Sequence, residues 1–303
     1  MSPPLSELQV AESESAELAT HTTQVLAGYV DHRVTEDIRN IRTVEELRFL
    51  HTSLHYTFHH KMSSPKLIVH HLQIGQGERI PWLLEELNIP YELKLYKRSP
   101  LLSPPELQAV YPMGASPVLE DLTDPSNPVK IAESGAITDY IIHKYGNGRL
   151  ALKPQDKNFA DYLYWLHFAN GSLQSGLFRR GMSRGMVGED DPRYKGQVAR
   201  CDKMLSHIEN RLQNNKWLAG EEFTAAETMT GWCFTTMRKF EPMDLTDYPG
   251  ILAWLGRIGE REAYRRAMGK ADPDLDIEQG ISAKGPPMME AFVKAMAMKP
   301  GSL

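Results

Sequence analysis

From Lys66 to Leu87 the chain reads KLIVHHLQIGQGERIPWLLEEL: a short β-like run, a loop bracketed by Gly75 and Gly77, and apolar residues at helical spacing (Ile80, Leu83, Leu84, Leu87). YELKLYK (91–97) then alternates as a strand does, so the three segments form a βαβ unit. This unit constrains the fold most, because two strands joined through a helix commit the chain to a sheet covered by helices. The loop ahead of the helix holds no hydroxyl and no thiol.

SPPELQAVYP fits a short helix starting at a proline, and SPVLED (116–121), the polar turn TDPSNP and VKIAE (129–133) fit a hairpin. SGAITDYIIHKYG reads as an amphipathic helix ending at Gly146. Beyond Gly148 strand signals vanish. KNFADYLYWLHFANGSLQSGLF, YKGQVARCDKMLSHIENRLQNN, TAAETMTGWCFTTMRKF and YPGILAWLGRIGEREAYRRAM are successive helical stretches, followed by a Pro/Gly-broken tail with one short helix, MMEAFVKAMAM. The expected organisation is a poorly ordered extension over 1–65, an α/β domain over 66–149, an all-helical domain over 150–272 and a tail over 273–303.

With 303 residues, 41% of them hydrophobic, the chain can build two proper cores. The net charge of -5 is spread along the sequence without a basic run, which argues against nucleic acid or anionic membranes and for small-molecule ligands. Cys201 and Cys233, both in helix-like stretches, are too few for a disulfide framework and read as ordinary buried thiols of a reducing, cytoplasmic compartment. No apolar run approaches the roughly 20 residues of a membrane span, and the N-terminus lacks the regions of a signal peptide. His51, His55 and His59 would share a helix face, with His60, His70 and His71 nearby, but no carboxylate or cysteine completes a metal site, so the segment reads as His-rich and exposed. Met62 opens MSSP like a fresh start: either it is an initiator, or residues 1–61 are a dispensable arm.

Taken in order, ERIPWLLEEL, PPELQAVYPMGASPVLED, IAESGAITDYIIHKYG, YWLHFANGSL, WLAGEEFTAAE and DYPGILAWLGRI resemble the cytosolic glutathione transferases, specifically a fungal class, over about residues 66–270. The resemblance implies a thioredoxin-like domain followed by an all-helical domain, glutathione as co-substrate, and a homodimer. It also implies a cis peptide at Ser116-Pro117, with the Ser116 main chain pairing with the cysteinyl part of glutathione. Glu133 and Ser134, just ahead of a helix where unpaired N–H groups favour a carboxylate, would take the γ-glutamyl end. Without the resemblance Ser134 reads as a plain N-cap. Thr224-Ala225-Ala226-Glu227 fits a capping box, a folding element.

Two positions depart from the family. Its activating serine falls at Gly75, followed by Gln76, and the basic residue it often places two before the cis-proline is Ala115 here; Lys97 or Arg98 are candidates to compensate. Three accounts follow. The thiolate is stabilised by backbone N–H groups of Gly75 to Gly77, the helix dipole and the Gln76 amide; or glutathione binds through Ser116, Pro117, Glu133 and Ser134 for elimination, isomerisation or adduct processing; or the fold is a binding or regulatory module. On the substrate side Tyr164, His167 and Asn170 lie at helical spacing and could line an apolar pocket, with His167 a candidate base and Met182 and Met186 on a flexible wall. The resulting expectation is conjugation of glutathione to an electrophilic small molecule in detoxification or secondary metabolism; the alternative is a glutathione-fold protein without conjugating activity.

Overall fold

The computed structural model describes residues 64–99 and 101–297. Residues 1–63, with Met62 and the His51, His55, His59 and His60 cluster, lie outside the described residues, as do residue 100 and residues 298–303.

β1 (Leu67–Leu72) enters a loop and then α1 (Arg79–Leu87), which β2 (Glu92–Tyr96) follows. After the short α2 (Pro105–Gln108) come β3 (Val118–Asp121), β4 (Val129–Ala132) and α3 (Ser134–Lys144). The sheet order is β2-β1-β3-β4. β1 pairs parallel with β2, Ile68 opposite Glu92, and antiparallel with β3, Leu67 opposite Asp121; β3 and β4 are antiparallel, Val118 opposite Ala132. β1 is therefore central, and Leu67 and Val69 are buried beneath α1, whose Ile80, Leu83 and Leu84 are also buried. α1 stops at Asn88, which takes the left-handed conformation Asn tolerates, while the Ile89 N–H returns to the Leu84 carbonyl at 3.0 Å. α3 ends at Lys144, two residues before the expected Gly146; the chain turns at Asn147 and Gly148, both at positive φ.

From residue 159 onward every named element is helical: α4 (Phe159–Phe168), a π-helical segment (Ala169–Gln174), α5 (Ser175–Val187), α6 (Pro192–Asn214), α7 (Ala225–Phe234), α8 (Pro249–Gly259) and α9 (Glu262–Ala271). The stretch expected to be a flexible wall is α5; Met182 and Met186 are helical and exposed. The tail contains two short helices where one was expected, α10 (Ile277–Ile281), capped by Asp276, and α11 (Glu290–Ala297). His70 and His71 are not exposed, because both belong to the central strand and are buried.

α9 is fastened to α1. Tyr264 meets Trp82 edge-on at 4.8 Å, Arg261 donates twice to Glu86 at 2.6 Å, and Arg266 and Lys270 reach Glu85. α7 starts at the capping box. Thr224 Oγ1 accepts from the Ala226 N–H (3.3 Å), while Glu227 accepts from the Thr224 N–H (2.8 Å) and the Leu218 N–H (2.6 Å). Burial pushes the Glu227 carboxyl up to about 7, against the pull of those donors.

Candidate functional site

The loop after β1, the Ser116-Pro117 turn, the start of α3 and the π-helical segment converge on one fully buried side chain, Arg79. Being the first residue of α1, it is fixed by the helix rather than by the loop. Its Nη1 donates to Asn170 Oδ1 (2.6 Å), Ser134 Oγ (3.1 Å) and Gln76 Oε1 (3.3 Å), and its Nη2 to Gln174 Oε1 (2.9 Å), with the Cys233 sulfur at 3.9 Å. Trp232 lies against it, 5.3 Å from the guanidinium carbon to the ring centre. Every oxygen it meets is neutral. A buried cation is normally paired with a carboxylate, and this one is not hydrogen-bonded to any among the described residues. Burial lowers its proton affinity, but an arginine starts high enough to remain charged.

Glu78, next in sequence and equally buried, does not neutralise Arg79. Desolvation raises its carboxyl to about 8, outweighing hydrogen bonds from Thr236 and Thr235, so near neutrality it is mostly protonated. Cys233 is likewise raised by burial, to about 11, and stays a thiol.

Ser134 is the first residue of α3, and Glu133 occupies the N-cap without a capping side-chain bond. The plain N-cap reading of Ser134 is corrected: its oxygen accepts from both Arg79 Nη1 and Asn170 Nδ2 (3.1 Å each). With both acceptor positions of the hydroxyl used, its proton is directed elsewhere. Glu133 is exposed and holds φ 71°, ψ 113°, a strained conformation for a residue with a side chain.

The loop itself is anchored from both flanks. Ile74, a β-branched residue at φ 55°, gives its N–H to Asp272 Oδ1 (2.7 Å) and takes Arg98 Nη2 on its carbonyl (2.7 Å). The other Asp272 oxygen meets His71 Nε2 at 2.9 Å. Gln76 Nε2 donates to the Ser116 carbonyl (3.0 Å), and Ser116 Oγ accepts from the Leu72 N–H (3.0 Å). The Ser116-Pro117 bond is cis. Gly75 and Gly77 are both required. A Cβ on Gly75 would stand 2.8 Å from the Leu72 carbonyl oxygen, and one on Gly77 2.5 Å from His71 Nδ1 and 2.8 Å from Ser116 Oγ. A serine at Gly75 is thus obstructed by backbone.

Of the candidates read from the sequence, the structure brings together Gly75, Gln76, Ser116, Pro117, Ser134 and Asn170, with Glu133 alongside. It separates Tyr164 and His167 from them. The Tyr164 hydroxyl bonds His207 Nε2 (3.1 Å) and its ring packs on Trp165 and Phe168, while His167 is exposed. The single helical face assumed for the three residues does not continue, because the helix turns π-helical at Ala169. Arg98 is committed to the Ile74 and Leu101 carbonyls. Arg79, Glu78, Gln174, His71 and Asp272 were not anticipated. An arginine inside an otherwise apolar helix face was the one available signal.

The described residues hold no group of three or more His, Cys, Asp or Glu placed for a metal ion, and none of their helices is long and apolar enough to cross a membrane. Residues 76–149 match the family model for the glutathione S-transferase N-terminal domain and 179–262 that for the C-terminal domain. Glutathione S-transferase 3 of Schizosaccharomyces pombe is 29% identical over 245 residues, covering 73% of this chain and 96% of that protein. Glutathione S-transferase 1 of Saccharomyces cerevisiae is 30% identical over 230 residues, covering 69% and 97%. The crystal structure of a glutathione S-transferase from Actinobacillus pleuropneumoniae, 27% identical, superimposes with a TM-score of 0.64 over 75% of this chain and 98% of that one. A four-stranded sheet with β1 parallel to β2, an all-helical remainder and two matching domain models leave one assignment: the chain belongs to the glutathione S-transferase family.

Proposed function

We propose that the protein binds glutathione along Ser116, Glu133 and Ser134 and conjugates it to an electrophilic small molecule, in detoxification or secondary metabolism. The observation that carries this reading is Arg79, a buried cation among neutral acceptors directly behind the loop that lacks the family's serine. A free thiol titrates near 8.5. A buried unit positive charge behind the loop favours the thiolate over the neutral thiol, and each pKa unit of that preference is about 1.4 kcal/mol. Backbone N–H groups of Gly75 to Gly77 add to that field. The Ser134 proton, unused inside the protein, suits the γ-glutamyl carboxylate, and the exposed Glu133 suits its ammonium. Main-chain pairing at Ser116 requires the Gln76 amide to leave the carbonyl it now occupies.

The same reading places the protein in the cytoplasm as a homodimer; exposed Leu163, Tyr164, Phe178 and Met182 on α4 and α5 support a second copy there. The deciding experiment is the ultraviolet thiolate absorbance of bound glutathione against pH. A midpoint at least one unit below free glutathione is expected; titration at the free value overturns thiol activation. Retention on immobilised glutathione without turnover of any electrophile would then favour adduct processing.

A further inference from the structure

A cleft of about 350 Å³ opens between the first loop and the chain following α9, within the roughly 300–1,000 Å³ range of small-molecule sites. Ile74, Leu275 and Met289 supply apolar walls, and Lys97, Arg98 and Lys239 supply three cations. Two carboxylates also line it. Asp272 is spent, one oxygen on the Ile74 N–H and the other on His71. Arg98 is spent as well, on two carbonyls and against the Phe240 ring at 4.9 Å. That leaves Lys97 and Lys239 against Asp274. Neither lysine ammonium has an ion-pair or hydrogen-bond partner among the described residues, so the cleft keeps a positive excess facing an apolar wall.

We infer that this cleft is the acceptor subsite, and that it takes an electrophile carrying one carboxylate, or a comparable anionic group, on an apolar body. The inference rests on the conjugation reading above and adds the substrate class. Position favours it: Ile74 is a wall of the cleft and Gly75, the next residue, begins the glycine segment assigned to the thiolate. Rigidity favours it too. Ile74 is held at φ 55° by Asp272 on one side and Arg98 on the other, so the wall does not have to be ordered by the ligand. In the step itself the sulfur lone pair of glutathione forms the C–S bond at the β-carbon of an unsaturated ketone. The alkene pair moves onto the carbonyl and a solvent proton restores neutrality.

The test uses the full chain with ethacrynic acid, an anionic unsaturated ketone, and its methyl ester. In Lys97→Gln/Lys239→Gln the ratio of kcat/KM for acid over ester should fall about tenfold. An unchanged ratio overturns the inference. So does a tenfold rise in KM for glutathione with both acceptors, which would assign the lysines to the glycyl carboxylate of glutathione instead. Should neither acceptor be turned over, the conjugation reading fails, and calorimetry with the unreactive dihydro derivative of ethacrynic acid decides the cleft alone. Roughly tenfold weaker binding in the double variant supports it, and equal binding overturns it.

Discussion

Among the described residues, two of the three buried arginines, Arg79 and Arg180, are solved in opposite ways, while the third, Arg238, is held by backbone carbonyls. Arg180 of α5 gives its Nε to Glu241 Oε1 at 2.5 Å and its Nη2 to the Pro242 carbonyl, while Arg184 takes the second Glu241 oxygen at 3.0 Å. The charges close on one another. Arg79 is more deeply buried, yet its hydrogen bonds go to three side-chain amides, those of Gln76, Asn170 and Gln174, and to a serine, and its neighbouring carboxyl, Glu78, is pushed toward the neutral form. Arg238 shows that an arginine without a carboxylate can also serve the fold, so what sets Arg79 apart is that its acceptors include Ser134, one of the groups proposed to hold glutathione.

The contrast can be broken experimentally. Arg180→Met leaves Glu241 short of its main partner and should cost about 3–5 kcal/mol of stability in urea titrations, while the folded fraction keeps the proposed conjugating activity. Arg79→Met should lower kcat/KM by about 100-fold, or roughly 3 kcal/mol, and return the bound thiol to its free titration. A loss of stability with an unmoved thiol midpoint would reduce Arg79 to a structural role.

Glu78→Gln probes the same neighbourhood through pH. A carboxyl raised from 4.5 to about 8 contributes stability in full below 4.5 and loses it as pH rises through 8. The native protein should therefore lose on the order of a few kcal/mol between pH 5 and 9 from this group, and Glu78→Gln should flatten that slope in melts across the range. Thr224→Ala, at the capping box remote from both arginines, should cost about 1 kcal/mol and leave the thiol midpoint unmoved. An unchanged melting temperature would refute the capping role.

Much of the fold is legible from short-range patterns. The alternation of Leu67 to Leu72, the helical spacing from Ile80 to Leu87, the hairpin around TDPSNP and the Thr224–Glu227 box each depend on residues within a few positions of one another. The site is legible only where its parts are local. Ser116-Pro117 and Glu133-Ser134 can be read as motifs, and the missing loop hydroxyl as a gap. Tyr164, His167 and Asn170 could not be sorted, because the π-helical segment changes the phase of the helix and sends Asn170 to Ser134 while Tyr164 stays with His207.

By itself the sequence determined the order of strands and helices, the two-part architecture and the family, since periodicity and capping act over one or two turns. Only the tertiary structure decided what stands behind the empty loop position. Arg79 meets Asn170 and Gln174 from 91 and 95 residues away, and Asp272 reaches Ile74 across 198 residues. Such meetings depend on how the helical half packs against the sheet half. No local spacing records that packing, because a buried charge chooses its partners by proximity in the folded core.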